Sequence, residues 1–165
     1  MEYRKHVGVY GVIILDSKLL CVRKMRGPYK YRYDLPGGSQ QIGEGFIDTL
    51  KREILEETGY SILGYENSRA YDFFVFSNEF KGYEHHLAIM YDVILNKFEK
   101  KDISKLVVDG ENDSNGIEWI NFSKLTYENA SPLVLKIAAE YNKEENLLET
   151  VTYEKWEVNK KWNTK

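Results

Sequence analysis

The first apolar run of the chain predicts a buried strand. Residues 7–15 are rich in β-branched side chains and form a nine-residue stretch without a charge before Asp16, which is typical of a central strand covered on both faces. A tight turn at residues 16–18 leads into a second apolar run at 19–24. We therefore expect these two strands to form a hairpin.

Two segments in the middle of the chain alternate between apolar and polar positions. Residues 65–77 and 85–95 predict strands joined by a turn. His85 and His86 are neighbours on a strand, so their side chains point to opposite faces and cannot readily chelate one ion. We expect both histidines to be structural or to face a substrate.

The last third of the chain predicts short elements. In order, these are a charged mobile loop at 98–115, a strand at 117–120, a helix from Pro132 to about Tyr141, an extra strand at 147–158 and a frayed tail at 159–165. Asn129 or Ser131 is expected to cap the helix, with Pro132 in its first turn. The extra strand would lie at a sheet edge or in a dimer interface.

Residues 45–58 have helical spacing. The apolar positions that fall on one arc at about 3.6 residues per turn are Phe46, Ile47, Leu50 and Ile54. Gly59 follows where a helix ends in a left-handed residue, a conformation that costs glycine least. The segment therefore predicts one short helix with a glycine stop.

Three acids crowd a second arc of this helix. Glu53, Glu56 and Glu57 are spaced i, i+3 and i+4, and like charges this close destabilise a helix unless something neutralises them. A hard divalent cation with oxygen ligands, Mg²⁺ or Mn²⁺, would do so. The alternative is a surface helix whose acids are solvated and paired with Lys51 and Arg52, which is the commoner case for an arbitrary acidic cluster.

The residues around these acids follow a fixed spacing: Gly38, Glu44, Arg52-Glu53, Glu56-Glu57 and Gly59-Tyr60. Segment 38–60 resembles the Nudix box, G-x5-E-x7-R-E-U-x-E-E-x-G-U with U apolar or aromatic, and matches it at every position. Residues 33–37 are similar to the family's usual approach to the box. The resemblance implies an α/β fold, the Nudix-type α/β/α sandwich with a mixed central β-sheet.

The same resemblance implies how the chain is organised. Residues 1–165 would form a single Nudix domain, with a C-terminal extension from about 144 that can supply the extra edge strand. The box helix would lie against the sheet through Phe46, Leu50 and Ile54.

The resemblance also implies an activity, the hydrolysis of a diphosphate linkage in a nucleoside diphosphate derivative with Mg²⁺ or Mn²⁺ as cofactor. The implied metal ligands are Glu53, Glu56, Glu57 and the carbonyl of Gly37. Arg52 and Glu44 match the pair that braces the loop against the helix, and Glu53 is the acid most suited to orient or deprotonate the attacking water.

Four residues outside the box are further candidates. Arg23 ends a strand at a place where related hydrolases often put a phosphate-contacting arginine. Asp113, Glu111 and Glu118 lie where several Nudix enzymes have an additional base or metal ligand. For any one of these acids, a solvated loop position is the commoner alternative.

The substrate is less sharply indicated. In its size and single domain the chain most resembles those family members that hydrolyse a nucleoside triphosphate, including an oxidised one, to a monophosphate and pyrophosphate. Residues 130–132, however, lack the asparagine that some such enzymes use to read a purine, and no proline has the downstream spacing of ADP-ribose hydrolases. Sugar nucleotides, dinucleoside polyphosphates, ADP-ribose and RNA 5′ ends stay open, as does a module that binds a nucleotide without catalysis or an interaction domain rich in tyrosine.

Composition narrows the partners. A net charge of −3 gives no polycationic surface, so we expect a nucleotide as the partner and no duplex nucleic acid. Cys21 is the one cysteine, which excludes an internal disulfide and suits a reducing compartment. No apolar run at the N-terminus is long enough to cross a bilayer. We therefore expect a cytoplasmic protein, as a monomer or a homodimer, that does not bind membranes.

Overall fold

The computed structural model describes residues 1–102 and 114–163. Over these residues the elements are β1 Glu2–Val12, β2 Ile14–Leu15, β3 Lys18–Lys24, β4 Tyr33–Asp34, β5 Gly37–Ser39, α1 Phe46–Thr58, β6 Tyr60–Ser77, β7 Gly82–Lys100, β8 Ser114–Asn121, α2 Pro132–Tyr141 and β9 Val151–Tyr153. A 3₁₀ turn, Phe122–Lys124, precedes α2. None of the helices in the described ranges is long and apolar enough to cross a membrane.

The strands form two sheets. The larger has the order β5-β1-β7-β6-β9 and is mixed, since β1 runs parallel to β7 and antiparallel to β5. The smaller contains β2, β3 and β4, with β8 paired to the other edge of β3. The predicted α/β fold with a mixed central sheet is confirmed.

The two helices cover opposite faces of the larger sheet. Val9 packs in the same apolar cluster as Leu50 and Ile54 of α1, whereas its neighbour Tyr10 packs with Leu133 of α2. Because adjacent strand residues point to opposite faces, the sheet lies between the helices. The sequence prediction that Phe46 joins this packing is wrong. Phe46 stands in the first turn with 44% of its surface exposed, so Leu50 and Ile54 hold α1 on the sheet.

The predicted N-terminal hairpin differs in detail. The long strand ends at Val12, and β3 pairs instead with the two-residue strand Ile14–Leu15, where Ile14 faces Leu19. Asp16 and Ser17 form the turn, both with positive φ. The bend after Val12 therefore moves the chain from one sheet to the other.

The C-terminal part is more ordered than the sequence suggests. Ser131 caps α2, its hydroxyl accepting a hydrogen bond from the Val134 amide at 3.2 Å. The strand expected at 147–158 is limited to Val151–Tyr153, which pairs with β6 in parallel. The expected fraying of residue 159 onward is wrong for Asn159 and Trp162, which contact the loop between β3 and β4. Part of the charged segment at 98–115 continues β7 to Lys100, and residues 103–113 lie outside the described ranges.

Candidate active site

Glycines lie at both ends of α1, the helix whose acidic arc consists of Glu53, Glu56 and Glu57. Gly45 is the N-cap, and Gly59 ends the helix with φ 77° while its amide donates to the Leu55 carbonyl at 2.9 Å. Leu50 and Ile54 are fully buried against the sheet. The carboxylates on the adjoining arc therefore face the edge of the sheet, where β5 lies beside β1.

At that edge the backbone of Gly37 and Gly38 touches the helix directly. Gly37 has φ 147°, and a Cβ at this position would lie 2.3 Å from the carbonyl oxygen of Val9, so only glycine fits. Its amide donates a hydrogen bond to Oε2 of Glu57 at 2.9 Å. A Cβ on Gly38 would lie 2.9 Å from the carboxylate of Glu53. Because these two glycines have no side chains, the loop can approach the acidic arc this closely.

Arg52 joins the loop to the helix. Its guanidinium donates to both carboxylate oxygens of Glu44, at 2.6 and 2.9 Å, and to the carbonyl of Ser39 at 3.0 Å. It also contacts Glu53 at 2.6 Å and Glu56 at 3.3 Å. The hydrogen bond from Arg52 lowers the pKa of Glu44 from 4.5 to about 2. Arg52 and Glu44 therefore stand together as the resemblance implied.

The acidic arc is partly buried. Glu57 is 5% exposed, and burial raises the pKa of Glu53, with Arg52 acting in the opposite direction and Glu56 adding to the rise. Burial of a carboxylate disfavours its charged form, and a nearby cation would offset that cost. The arc therefore has the electrostatic character of a cation site.

The carboxylates of Glu53, Glu56 and Glu57 do not converge on one point. Within residues 1–102 and 114–163, no three His, Cys, Asp or Glu side chains are grouped closely enough to hold a metal ion. Glu53 and Glu56 are turned towards Arg52, and Glu57 towards the Gly37 amide. The donor set still fits a hard cation, because it consists of carboxylate oxygens. Glu56 has 38% of its side chain exposed and, at 3.3 Å, a longer contact to Arg52 than Glu53 has.

The other sequence candidates lie apart from this arc or outside the described ranges. The guanidinium of Arg23 lies over the ring of Trp162, 4.5 Å from its centre. Glu118, on β8, accepts a hydrogen bond from the Tyr33 hydroxyl at 3.2 Å. Asp113 and Glu111 lie outside the described residues.

Sequence reasoning missed a cation beside the acidic arc. Lys24, the last residue of β3, counteracts the burial of Glu53 by lowering its pKa. Lys24 also lines a cavity of about 120 Å³ with residues that include His6, Tyr10, Asp34, Glu84 and His86. Its place next to Arg23 in a basic segment was the available signal, but the sequence did not show which of the two faces the acids.

One of the residues that line this cavity, His86, is a buried histidine. His86 is hydrogen-bonded through its two ring nitrogens to the hydroxyls of Tyr10 and Tyr29, at 2.8 and 2.9 Å. Burial lowers its pKa well below 6.5, and the charges of His6 and Lys24 act in the same direction. His86 is therefore neutral, and its two tyrosine partners fix the orientation of its ring.

The sequence and the fold of this chain are similar to those of known proteins. A family model described as the NUDIX domain matches residues 4–141. A segment of 53 residues is 42% identical to an ADP-ribose pyrophosphatase of Methanocaldococcus jannaschii, covering 32% of this chain and 31% of that enzyme, so the chain matches only about a third of the relative's length.

Two solved structures share the fold at low sequence identity. The MutT protein of Bacillus halodurans superposes with a TM-score of 0.59 at 16% identity, covering 93% of this chain and 94% of the other. The Nudix domain of Shewanella oneidensis NrtR, solved with ADP ribose, also gives 0.59, at 15% identity over 85% and 88% of the two chains. Because the family model spans most of the sequence and the fold agrees, this chain belongs to the Nudix family of hydrolases.

Proposed function

We propose that this protein hydrolyses a diphosphate linkage in a nucleoside diphosphate derivative, with Mg²⁺ or Mn²⁺ as cofactor. Nudix hydrolases typically depend on a divalent metal. The observation that carries the proposal is the direct contact of the Gly37-Gly38 backbone with Glu53 and Glu57. This contact brings the Gly37-Gly38 loop against an arc of carboxylate oxygens, and carboxylate and carbonyl oxygens are the donors that a hard cation requires.

Each residue of the site has a distinct task in this proposal. Glu53, Glu56, Glu57 and the Gly37 carbonyl would hold the cation, which when bound neutralises the charge of the diphosphate and favours attack of water at phosphorus. Arg52 and Glu44 keep the loop and helix in register, since their paired hydrogen bonds fix the side chain that also contacts Glu53. Glu53 orients the attacking water or accepts its proton, because burial raises the pKa of its carboxyl.

The basic residues at the end of β3 extend the site towards the substrate. Lys24 is close enough to Glu53 to lower the pKa of that acid, and its ammonium suits the second phosphate of a diphosphate. Arg23 stays our proposed phosphate contact. Glu118, Glu111 and Asp113 stay proposed as an additional base or metal ligand.

Our first candidate substrate is a nucleoside triphosphate, which would be cleaved to a monophosphate and pyrophosphate. The fold is similar to that of a MutT protein over 93% of this chain, which supports this candidate. ADP-ribose is the second candidate, because the archaeal relative with 42% identity is an ADP-ribose pyrophosphatase. Such a substrate would give AMP and ribose 5-phosphate.

The test is a product assay across a panel of nucleotides with Mg²⁺, with Mn²⁺ and with a chelator. We expect turnover only with a divalent cation, and we expect Glu56→Gln and Glu57→Gln each to lose most of it while keeping the circular dichroism spectrum of the native protein. Glu145→Gln, an exposed acid after α2, is the control and should behave as wild type. Wild-type rates in either box variant would refute the site, and tight nucleotide binding without any turnover would indicate a binding module instead.

A further inference from the structure

The segment Trp156 to Trp162, here the C-terminal strap, lies outside the residues that the family model matches. It is nevertheless bound to the loop between β3 and β4. Trp156 is 2% exposed and donates its indole N–H to the Pro28 carbonyl at 2.8 Å. The amide of Asn159 donates to the Tyr31 carbonyl at 3.2 Å. The strap is therefore a folded part of this chain's surface, and it lies outside the region that the family model matches.

The strap places Trp162 on Arg23. The guanidinium of Arg23 lies over the indole at 4.5 Å from the ring centre, while Tyr31 and Tyr33 approach at centroid distances of 5.9 and 5.6 Å with interplanar angles of 63° and 47°. Both tyrosines are inclined, so neither stacks flat on the indole. Trp162 is half-buried. In the part of the chain that the structure describes, no ring is stacked on its second face.

Arg23 has an unsatisfied donor at this place. Its Nε is buried and makes no hydrogen bond to any described residue. A buried donor without an acceptor is unfavourable, so the protein itself does not fully pair the Arg23 guanidinium, and a guanidinium binds phosphate oxygens particularly well. An indole face next to such a guanidinium is suited to a ligand that has both a planar ring and an anionic group.

The position is within reach of the proposed reaction centre. Arg23 pairs with Tyr33 across β3 and β4, and Gly37 follows Tyr33 by four positions, a span of at most about 14 Å. A nucleotide whose diphosphate lies at the Gly37 loop could therefore extend its base to Trp162.

We propose that Trp162 is the surface on which the base of the nucleotide substrate stacks, with the guanidinium of Arg23 beside it donating to a phosphate oxygen of the same molecule. This inference rests on the proposed function and names a residue that determines binding. Stacking is tolerant of base identity, because every base has a π face. The protein should consequently accept purine and pyrimidine nucleotides with similar KM.

The experiment compares Trp162→Ala, Trp162→Phe and the control Tyr3→Ala, which removes an exposed aromatic ring stacked on Tyr83. Binding of ATP, CTP and ADP-ribose is measured by calorimetry in the Glu56→Gln background, so that turnover does not interfere. We expect Trp162→Ala to weaken binding about 10- to 100-fold, Trp162→Phe to keep most of it, and Tyr3→Ala to leave it unchanged. In the active protein the loss should appear in KM with little change in kcat. Ribose 5-diphosphate, which has no base, should bind all variants equally.

Three outcomes overturn the inference. Binding of nucleotides by Trp162→Ala as tight as by wild type would mean that no base stacks there. Tighter binding would mean that the strap covers Arg23 and excludes the substrate. Equal weakening for ribose 5-diphosphate would point to a disturbed loop. If the wild type shows no metal-dependent turnover, the proposed function fails separately, because the binding titration still reports on Trp162.

Discussion

Replacing Gly38 by alanine would add one methyl group at the closest approach between the loop and the acidic arc. The new Cβ would lie 2.9 Å from the carboxylate carbon and both oxygens of Glu53, whereas ordinary contacts of a Cβ lie at 3.4–4 Å. Gly38 does not have a positive φ, so the backbone itself accepts alanine. The substitution therefore acts almost entirely on the position of one carboxylate.

The displacement can be worked out from these distances. Glu53 or the loop must move apart by about 0.5–1 Å to reach an ordinary contact. Glu53 resists this movement because Arg52 holds it at 2.6 Å. A misplacement of about 1 Å at a reacting centre costs on the order of 100-fold in rate. Stability should change little. Gly→Ala reduces the conformational entropy of the unfolded chain and so stabilises the fold by about 0.4–1 kcal/mol, which offsets part of the repacking cost of about 1–3 kcal/mol.

The assay is kcat with saturating Mg²⁺ on the best nucleotide of the panel, together with a thermal melt. We expect kcat to fall about 30- to 300-fold while the protein melts within a few degrees of wild type. Gly64→Ala is the matched control, because its nearest neighbour would lie 3.7 Å from the new Cβ, and its rate should be unchanged. A Gly38→Ala enzyme that works as well as the Gly64→Ala enzyme would refute the idea that Glu53 must stay where this contact puts it.

Three further predictions concern stability. Glu44→Gln should lower the free energy of unfolding at pH 7 by about 2 kcal/mol, as for a charge-assisted hydrogen bond. Because Arg52 lowers the pKa of Glu44 to about 2, the wild type should lose this advantage as the pH falls from about 4.5 towards 2, which urea titrations of both proteins at pH 7 and pH 3 would show. Trp156→Ala should cost about 3–5 kcal/mol, because it empties a fully buried site, and an unchanged melting temperature would contradict the packing of the strap. His86 is neutral when folded, its pKa lowered by burial, so stability should fall as the pH drops below about 6.5, where the unfolded histidine takes up a proton. His86→Gln should flatten that dependence in urea unfolding between pH 5 and 8.

The sequence predicted the box helix well because its determinants are local. The bounds of α1 follow from the spacing of Leu50 and Ile54 and from the glycine stop at residue 59. The contact of Gly37 with Glu57 spans 20 residues, from the segment that leads into the motif to the last acid of the motif. A pattern of this length specifies both the turn and the arc that faces it. It did not specify that Phe46 stays exposed, because a residue in the first turn can extend past the edge of the sheet.

The remaining features depend on contacts between distant parts of the chain. The bond from Trp156 to Pro28 joins residues 128 positions apart, and the pairing of His86 with Tyr10 joins residues 76 apart. Neither follows from local periodicity. Residues 159–165 have the polar and charged composition of a fraying terminus, but Asn159 and Trp162 have defined partners, and these contacts outweigh that composition. Arg23 and Lys24 are consecutive, so only the fold could show that Lys24 faces Glu53 while Arg23 faces the strap.

This division between local and distant contacts has a functional consequence. The chemistry of the family depends on the box, whose residues are near in sequence and hold one another through Arg52. The shape of the surface beyond the box depends on the strap, which lies outside the family match. Two Nudix proteins with the same box can therefore differ in substrate if their C-terminal segments differ. In this chain Trp162 and Trp156 lie over Arg23 and Arg32, and both tryptophans are outside residues 4–141, which the family model matches. Under the proposed stacking of the base on Trp162, we expect substitutions in the strap to raise KM for a nucleoside triphosphate and for ADP-ribose alike while leaving the acidic arc intact.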